Sequence, residues 1–127
     1  MKDLLVNITH HIKTECGVNV GVGQFPSSPD DIVIFNWKSG IKPHYALGKA
    51  NAYRRRPFLM VEVRSKDFFT SLQQCDDIGK ELERLNGLVG DKYVLSITAT
   101  SDVLENGRDD KNRYTHLQNF IVDFRED

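Results

Sequence analysis

The sequence predicts an α+β fold in which two helices pack on one face of a single sheet. Two segments, 3–16 and 66–86, have apolar residues at helical spacing. Five shorter segments have the alternation or the continuous apolar character of strands. The predicted order, α-β-β-β-α-β-β, mixes helices and strands without strict alternation. We therefore expect a sheet of four to five strands that is mostly antiparallel or mixed.

The first predicted helix covers residues 3–16. Its apolar side chains recur at three- and four-residue steps and share one helix face: Leu4, Leu5, Ile8 and Ile12. Asp3 is a suitable N-terminal cap, and Gly17 stands where a helix favours a left-handed residue at its end. A weak strand follows at 18–22, where valines alternate with small and polar residues.

The next segments are a turn, a strand and a long loop. Residues 26–31 have the composition of a turn, and the continuous apolar stretch 32–35 predicts a strand that is covered on both faces. Residues 39–56 show no clear period and contain Gly40 and Pro43. The sequence therefore predicts a long, mobile, basic loop at about 39–56.

Pro57 opens another predicted strand, which alternates over 58–64. The segment 66–86 has the most regular apolar stripe in the chain and predicts the second helix. Asp67 lies in the favourable first turn of that helix. Gly87 is its predicted stop.

The last predicted elements are a strand at 93–100, a polar loop at 101–113 with a turn at Asn106 and Gly107, and a strand at 120–124. We expect residues 1–127 to form one domain, since 127 residues is an ordinary domain size. No stretch approaches the ~18 apolar residues of a transmembrane helix, so we expect no membrane contact.

Two cysteines, Cys16 and Cys75, are too few for a disulfide framework or a four-ligand zinc site. Both lie on apolar helix faces, where cysteine is usually a small core residue. We expect synthesis in a reducing cytoplasm. Because no catalytic, cofactor or metal motif stands out, we expect a protein without enzymatic activity, cofactor or metal ion.

The net charge of -1 conceals an uneven distribution. No acidic residue lies between Asp31 and Glu62. This stretch contains the six cations of the basic segment: Lys38, Lys42, Lys49, Arg54, Arg55 and Arg56. The rest of the chain has 11 basic and 18 acidic residues and carries -7. Three uses of the basic segment remain open: a solvated loop, nucleic-acid binding with nearby tyrosines, or docking on the acidic surface of a second copy.

An alternative function is a magnesium-dependent nuclease of the PD-(D/E)xK type. Pro29 and Asp30 begin one strand, Glu62 lies near the end of another, and Glu15 would add a third carboxylate. Carboxylates of this kind hold Mg²⁺, and a lysine orients the attacking water. Here Arg64 occupies the lysine position, and arginine does not lose its proton. The nuclease is therefore the second choice.

The chain resembles the small tail-terminator and head–tail joining proteins of long-tailed bacteriophages, which are also called minor capsid proteins. The resemblance spans about residues 25–125. Three stretches carry it: Phe25 to Phe35 with Ser39 and Gly40 after it, Phe58 to Phe68, and Gly107 to Asp110 with Arg113, followed by Asn119 to Val122. Its specificity comes from the order of these weak motifs, since none of them is a catalytic signature.

The resemblance implies a structural virion protein that forms a ring, commonly a hexamer, at the head-proximal end of the tail tube. It implies contacts with tail-tube protein and with a head-completion or connector protein. Genomic DNA would pass through the lumen without sequence-specific binding. We expect the basic segment to form a subunit interface or to line the lumen, and a second interface loop to contain Arg108, Asp109, Asp110 and Arg113.

Overall fold

Two helices and seven strands make up the described part of the chain. The structure is a computed structural model that describes residues 2–45 and 53–126, with side chains described for 2–38 and 54–125. The elements are α1 (Lys2–Cys16), β1 (Val20–Val22), β2 (Ile32–Tyr45), β3 (Tyr53–Ser65), α2 (Phe68–Arg84), β4 (Gly87–Val89), β5 (Lys92–Ala99), β6 (Leu104–Arg108) and β7 (Tyr114–Glu126).

The strands form one mixed, curled sheet in the order β1-β2-β3-β7-β5-β4. β1 is parallel to β2, and the other strand pairs are antiparallel. β6 lies off this order because β7 pairs with β6 along its first half and with β5 along its second half. The predicted α+β class is confirmed, although the described sheet has seven strands rather than four or five.

Both helices cover the same face of the sheet, as predicted. α1 contacts β1, β2 and β4, whereas α2 contacts β3, β5 and β7. The core between helices and sheet is one cluster whose largest fully buried side chains include Phe35, Phe120, Phe124, Leu4, Ile8 and Ile12. No helix in the described ranges is long and apolar enough to cross a membrane.

Local chemistry explains where the helices begin and end. The Asp67 carboxylate accepts a hydrogen bond from the Thr70 backbone N–H at 2.8 Å and so caps the start of α2. Gly17 follows α1 with a φ of +64°, a conformation that glycine adopts readily. The predicted stop of α2 at Gly87 is wrong, because α2 ends at Arg84 and Gly87 begins β4.

The predicted loop at 39–56 is wrong wherever the structure describes it. β2 extends to Tyr45 and β3 begins at Tyr53, and these two residues pair with each other. Residues 46–52 lie outside the described ranges. Most of the predicted loop is therefore the outer part of an antiparallel strand pair.

The strand breakers Gly40 and Pro43 suggested a loop, and their positions in the sheet show why they are tolerated. Each lies where the ladder between β2 and β3 shifts its register. Beyond Asn36, moreover, β2 has no second neighbouring strand among the described residues. An outer strand tolerates proline, because the missing N–H need not serve a ladder.

Two short strands, β4 and β6, were not predicted from the sequence. β4 has only three residues, and β6 has the sequence LENGR with every residue exposed. The turn predicted at Asn106 and Gly107 is instead a register shift within β6, where Gly107 has a φ of +84°. β7 begins at Tyr114, six residues before the predicted strand at 120–124.

Candidate functional site

Strand alternation divides the basic segment between the two faces of the sheet. Arg55 pairs with Phe124, whose side chain lies in the core beneath the helices, so Arg55 points toward the helix side. Arg54 and Arg56 point to the opposite face, as does Lys38 on the neighbouring strand. We call Lys38, Arg54 and Arg56 the basic face.

Arg54 is fixed on this face by Asp123 of β7. Its Nε donates to Asp123 Oδ1 at 3.1 Å, and its Nη2 donates to the other carboxylate oxygen. The two-pronged bond raises the pKa of the Arg54 guanidinium. Asp123 is almost completely buried, so Arg54 and Asp123 form a partly buried ion pair at the margin of the basic face.

Positive charges outnumber negative charges on and around the basic face. Arg125 lies opposite Arg54 in the ladder, and its guanidinium is 5.7 Å from the centre of the Tyr93 ring. Burial raises the pKa of the Glu62 carboxyl, and the nearby Lys38 charge opposes that rise. Arg56 Nε is buried and has no hydrogen-bond partner among the described residues.

Two cations of the basic segment, Lys42 and Lys49, have no described side chain. Lys42 lies in β2, but its side chain is outside the described set. Lys49 lies outside the described residues altogether. The structure thus brings three of the six predicted cations together on one face.

The predicted second interface loop divides into an internal clamp and an exposed part. Arg113 is only 4% exposed. Its Nε donates to Asp109 Oδ2 at 2.7 Å, and its Nη1 donates to the Ser27 carbonyl at 2.6 Å. Hydrogen bonds from Arg113 and Lys111 lower the pKa of Asp109. These contacts lie within the chain, whereas Arg108 and Asp110 are exposed.

Arg64 anchors the turn that precedes β2. Its Nε donates to the Asp30 carbonyl at 3.1 Å and its Nη2 donates to the Pro29 carbonyl at 2.6 Å. The Phe25 ring covers the guanidinium, with 4.9 Å between Cζ and the ring centre. Burial, followed by the charge of Arg113, lowers the pKa of Arg64. The residue in the lysine position of the nuclease pattern therefore has a structural role here.

The carboxylates of the nuclease alternative are also engaged with cations. Asp30 lies 3.4 Å from Lys66 Nζ and 3.4 Å from Arg113 Nη1. Glu62 faces the Lys38 charge. Within residues 2–45 and 53–126, no group of three or more histidine, cysteine, aspartate or glutamate side chains is arranged to hold a metal ion.

A groove between the last turn of α1 and the outer side of α2 was not predicted. Three carboxylates line it, from Glu15, Asp77 and Glu81, and Cys16 lies among them. Burial raises the pKa of the Cys16 thiol, and the charges of these three carboxylates raise it further. We call Glu15, Cys16, Asp77 and Glu81 the helix groove.

Two cations, Lys80 and Arg84, line the groove together with its three carboxylates. His11 Nε2 lies 3.1 Å from Glu81 Oε1, and Arg84 Nη1 lies 4.0 Å from the other oxygen of the same carboxylate. Lys80 is paired instead with Asp76, at 3.0 Å. The groove also has an apolar component in Ile78, which is buried. It thus combines a negative rim with apolar surface.

The two predicted core cysteines differ in their surroundings. Cys75 is 1% exposed, which confirms the prediction, and burial raises its pKa to about 12. Cys16 is half-buried at the margin of the core. Two features without a sequence signal are the convergence of Glu15 with α2 and the burial of His116, because both depend on helix packing.

No model of a known protein family matches the chain, and a search of curated proteins finds no match.

Proposed function

We propose that this chain is a structural virion protein, a tail-terminator or head–tail joining subunit that forms a ring at the head-proximal end of a phage tail. The resemblance over residues 25–125 motivates the proposal. The observation that carries it is the separation of opposite charges on two different surfaces, the basic face and the helix groove. Subunits of a closed ring need two different, complementary surfaces, since their contacts are head-to-tail.

In this role the chain acts by shape and charge. One side of the ring would bind tail-tube protein and the other a head-completion or connector protein. DNA would cross the lumen without sequence-specific contacts. The clamps at Arg113 and Arg64 support such a role, because their hydrogen bonds tie the loops around residues 25–31 and 109–113 to each other and to the sheet.

The test is the mass of the purified chain, measured by light scattering over a wide concentration range, together with electron microscopy of the particles. We expect rings of about six copies, close to six times the chain mass of 14.5 kDa. A strict monomer at every concentration contradicts the proposal.

DNA and Mg²⁺ added to the same samples test the nuclease alternative. Divalent-dependent cleavage that disappears in an Asp30→Ala, Glu62→Ala variant would replace the ring proposal by the nuclease. Intact DNA together with rings supports the structural role.

A further inference from the structure

The basic face and the helix groove cannot meet within one chain. The basic face lies on the side of the sheet opposite the helices, whereas the helix groove lies on the outer side of the helix layer. The sheet and the core therefore stand between them. The two surfaces therefore cannot neutralise each other in an isolated chain.

The sign of each surface is clear from its described side chains. The basic face and the adjacent Arg125 together supply four cations. Two carboxylates lie among them, from Asp123 and Glu62. The helix groove has three converging carboxylates, and two cations, Lys80 and Arg84, also line it. The first surface is positive and the second is negative.

We propose that the basic face of one copy docks into the helix groove of a second copy. This inference rests on the proposed ring and identifies which two surfaces form its repeated contact. Charge complementarity selects the second copy as the occupant, because each copy offers both partners of the pair. Half-buried Phe58 and Met60 beside the basic face add apolar area that can pack against the apolar part of the groove.

A head-to-tail contact of this kind leaves one unpaired basic face and one unpaired groove at the ends of an open row. Closing the row into a ring pairs them all. The association should also weaken as salt is raised, since the contact brings together surface charges. Docking would cover the half-exposed thiol of Cys16, which gives the contact a reporter that needs no mutation.

The first experiment measures the rate at which N-ethylmaleimide alkylates Cys16 in the unmodified chain, in dilute and concentrated samples at low and high salt. Cys75 is buried and does not interfere. We expect at least a tenfold slower reaction in concentrated, low-salt samples. The dilute samples provide the baseline for any direct effect of salt on the thiol.

The outcomes separate this inference from the proposed function. Assembly by mass with an unchanged Cys16 rate overturns the docking contact and leaves the ring standing on another surface. Absence of assembly at every concentration overturns both. Slower alkylation that follows the assembled fraction supports both.

The second experiment exchanges the charges. The groove variant is Glu15→Lys with Asp77→Lys, both exposed residues. The strand variant is Lys38→Glu and Arg54→Glu with Asp123→Asn, which removes the carboxylate that position 54 would otherwise face. We expect each variant alone to lose assembly and an equimolar mixture to regain it, because the mixture restores opposite charges at every contact.

A matched control, Asp91→Lys with Asp102→Lys, makes the same change in net charge at exposed sites away from the groove. It should assemble normally; loss of assembly in this control overturns the assignment of the groove. Circular dichroism checks that each variant folds. If the strand variant does not fold, the alkylation experiment on the unmodified chain still tests the docking contact. A different result would assign the basic face to nucleic acid instead. In that case both variants assemble, the unmodified chain binds duplex DNA in a salt-sensitive way, and only the strand variant loses this binding.

Discussion

Ser71 of α2 and His116 of β7 share a buried hydrogen bond, with 2.8 Å between Ser71 Oγ and His116 Nδ1. Ser71 Oγ donates its hydrogen to the Val63 carbonyl at 3.1 Å, so it accepts the hydrogen bond from the His116 Nδ1–H. His116 Nε2 is buried and has no hydrogen-bond partner among the described residues. The geometry therefore favours the neutral ring with its proton on Nδ1.

The first prediction concerns pH. Burial lowers the pKa of His116 below its ordinary value of 6.5, and the Glu105 charge opposes this shift. The unfolded chain binds the proton more readily, so stability that is complete above about pH 6.5 is lost as the pH falls through the folded pKa. We expect urea unfolding to show this loss below neutral pH.

The variant His116→Gln should remove that part of the pH dependence. It should also lower the free energy of unfolding near neutral pH by about 1–3 kcal/mol, through the disrupted buried contact with Ser71. The exposed His10 provides the control, since His10→Gln should leave the pH profile unchanged. An unaltered profile in the His116 variant would assign the pH dependence to other groups.

The second prediction concerns the Arg113 clamp. Replacing Arg113 by alanine removes its bonds to the Asp109 carboxylate and the Ser27 carbonyl. We expect a loss of about 2–3 kcal/mol in the free energy of unfolding, because the buried Arg113 side chain loses its packing together with two charge-assisted hydrogen bonds. Arg108→Ala, an exposed change in the same region, should stay within about 0.5 kcal/mol. Equal effects of the two variants would contradict a clamp.

The third prediction concerns Gly79 in the middle of α2. Helix propensity alone makes Gly→Ala stabilising by about 1 kcal/mol. Here an added Cβ would collide with the Gln118 side-chain oxygen and lie 3.4 Å from Phe120 Cζ. We expect the collision to prevail and Gly79→Ala to destabilise the chain by about 1–3 kcal/mol. Thermal unfolding gives the sign, and a raised midpoint would show that Gln118 moves aside freely.

The fourth prediction concerns the two thiols. Cys75 is buried with a pKa of about 12, so almost none of it is thiolate near neutral pH. In the native, dilute chain, Ellman's reagent should modify one thiol, Cys16, and should reach the second only after urea is added. The Cys16→Ser variant should show no reactive thiol before unfolding. Two reactive thiols in the folded chain would contradict the burial of Cys75.

Both helices and the fold class were predictable because their signals are local. The apolar stripes that contain Ile8 and Ile78 determine which side of each helix is buried, and that side is the one in the core. Capping residues such as Asp67 act within one turn. Such features need no knowledge of what the rest of the chain does.

The outer strands and the helix groove were not predictable in the same way. Gly40 and Pro43 are local breakers, but the ladder between β2 and β3 accommodates them at register shifts. Glu15 and Asp77 meet only because α1 packs beside α2. Both the outer strands and the helix groove therefore depend on contacts between residues far apart in the chain, and a short segment of sequence carries no signal of such contacts.

The position of α1 has a consequence for biosynthesis. It contacts both β1 and β4, the strands at the two ends of the sheet order. α1 is the first of the described elements to leave the ribosome, whereas β4 follows more than seventy residues later. At about 5–20 residues per second, roughly 4 to 15 seconds separate the two. During that interval the apolar stripe of α1 lacks part of its native cover, and we expect chaperones to bind the nascent chain until β4 has emerged.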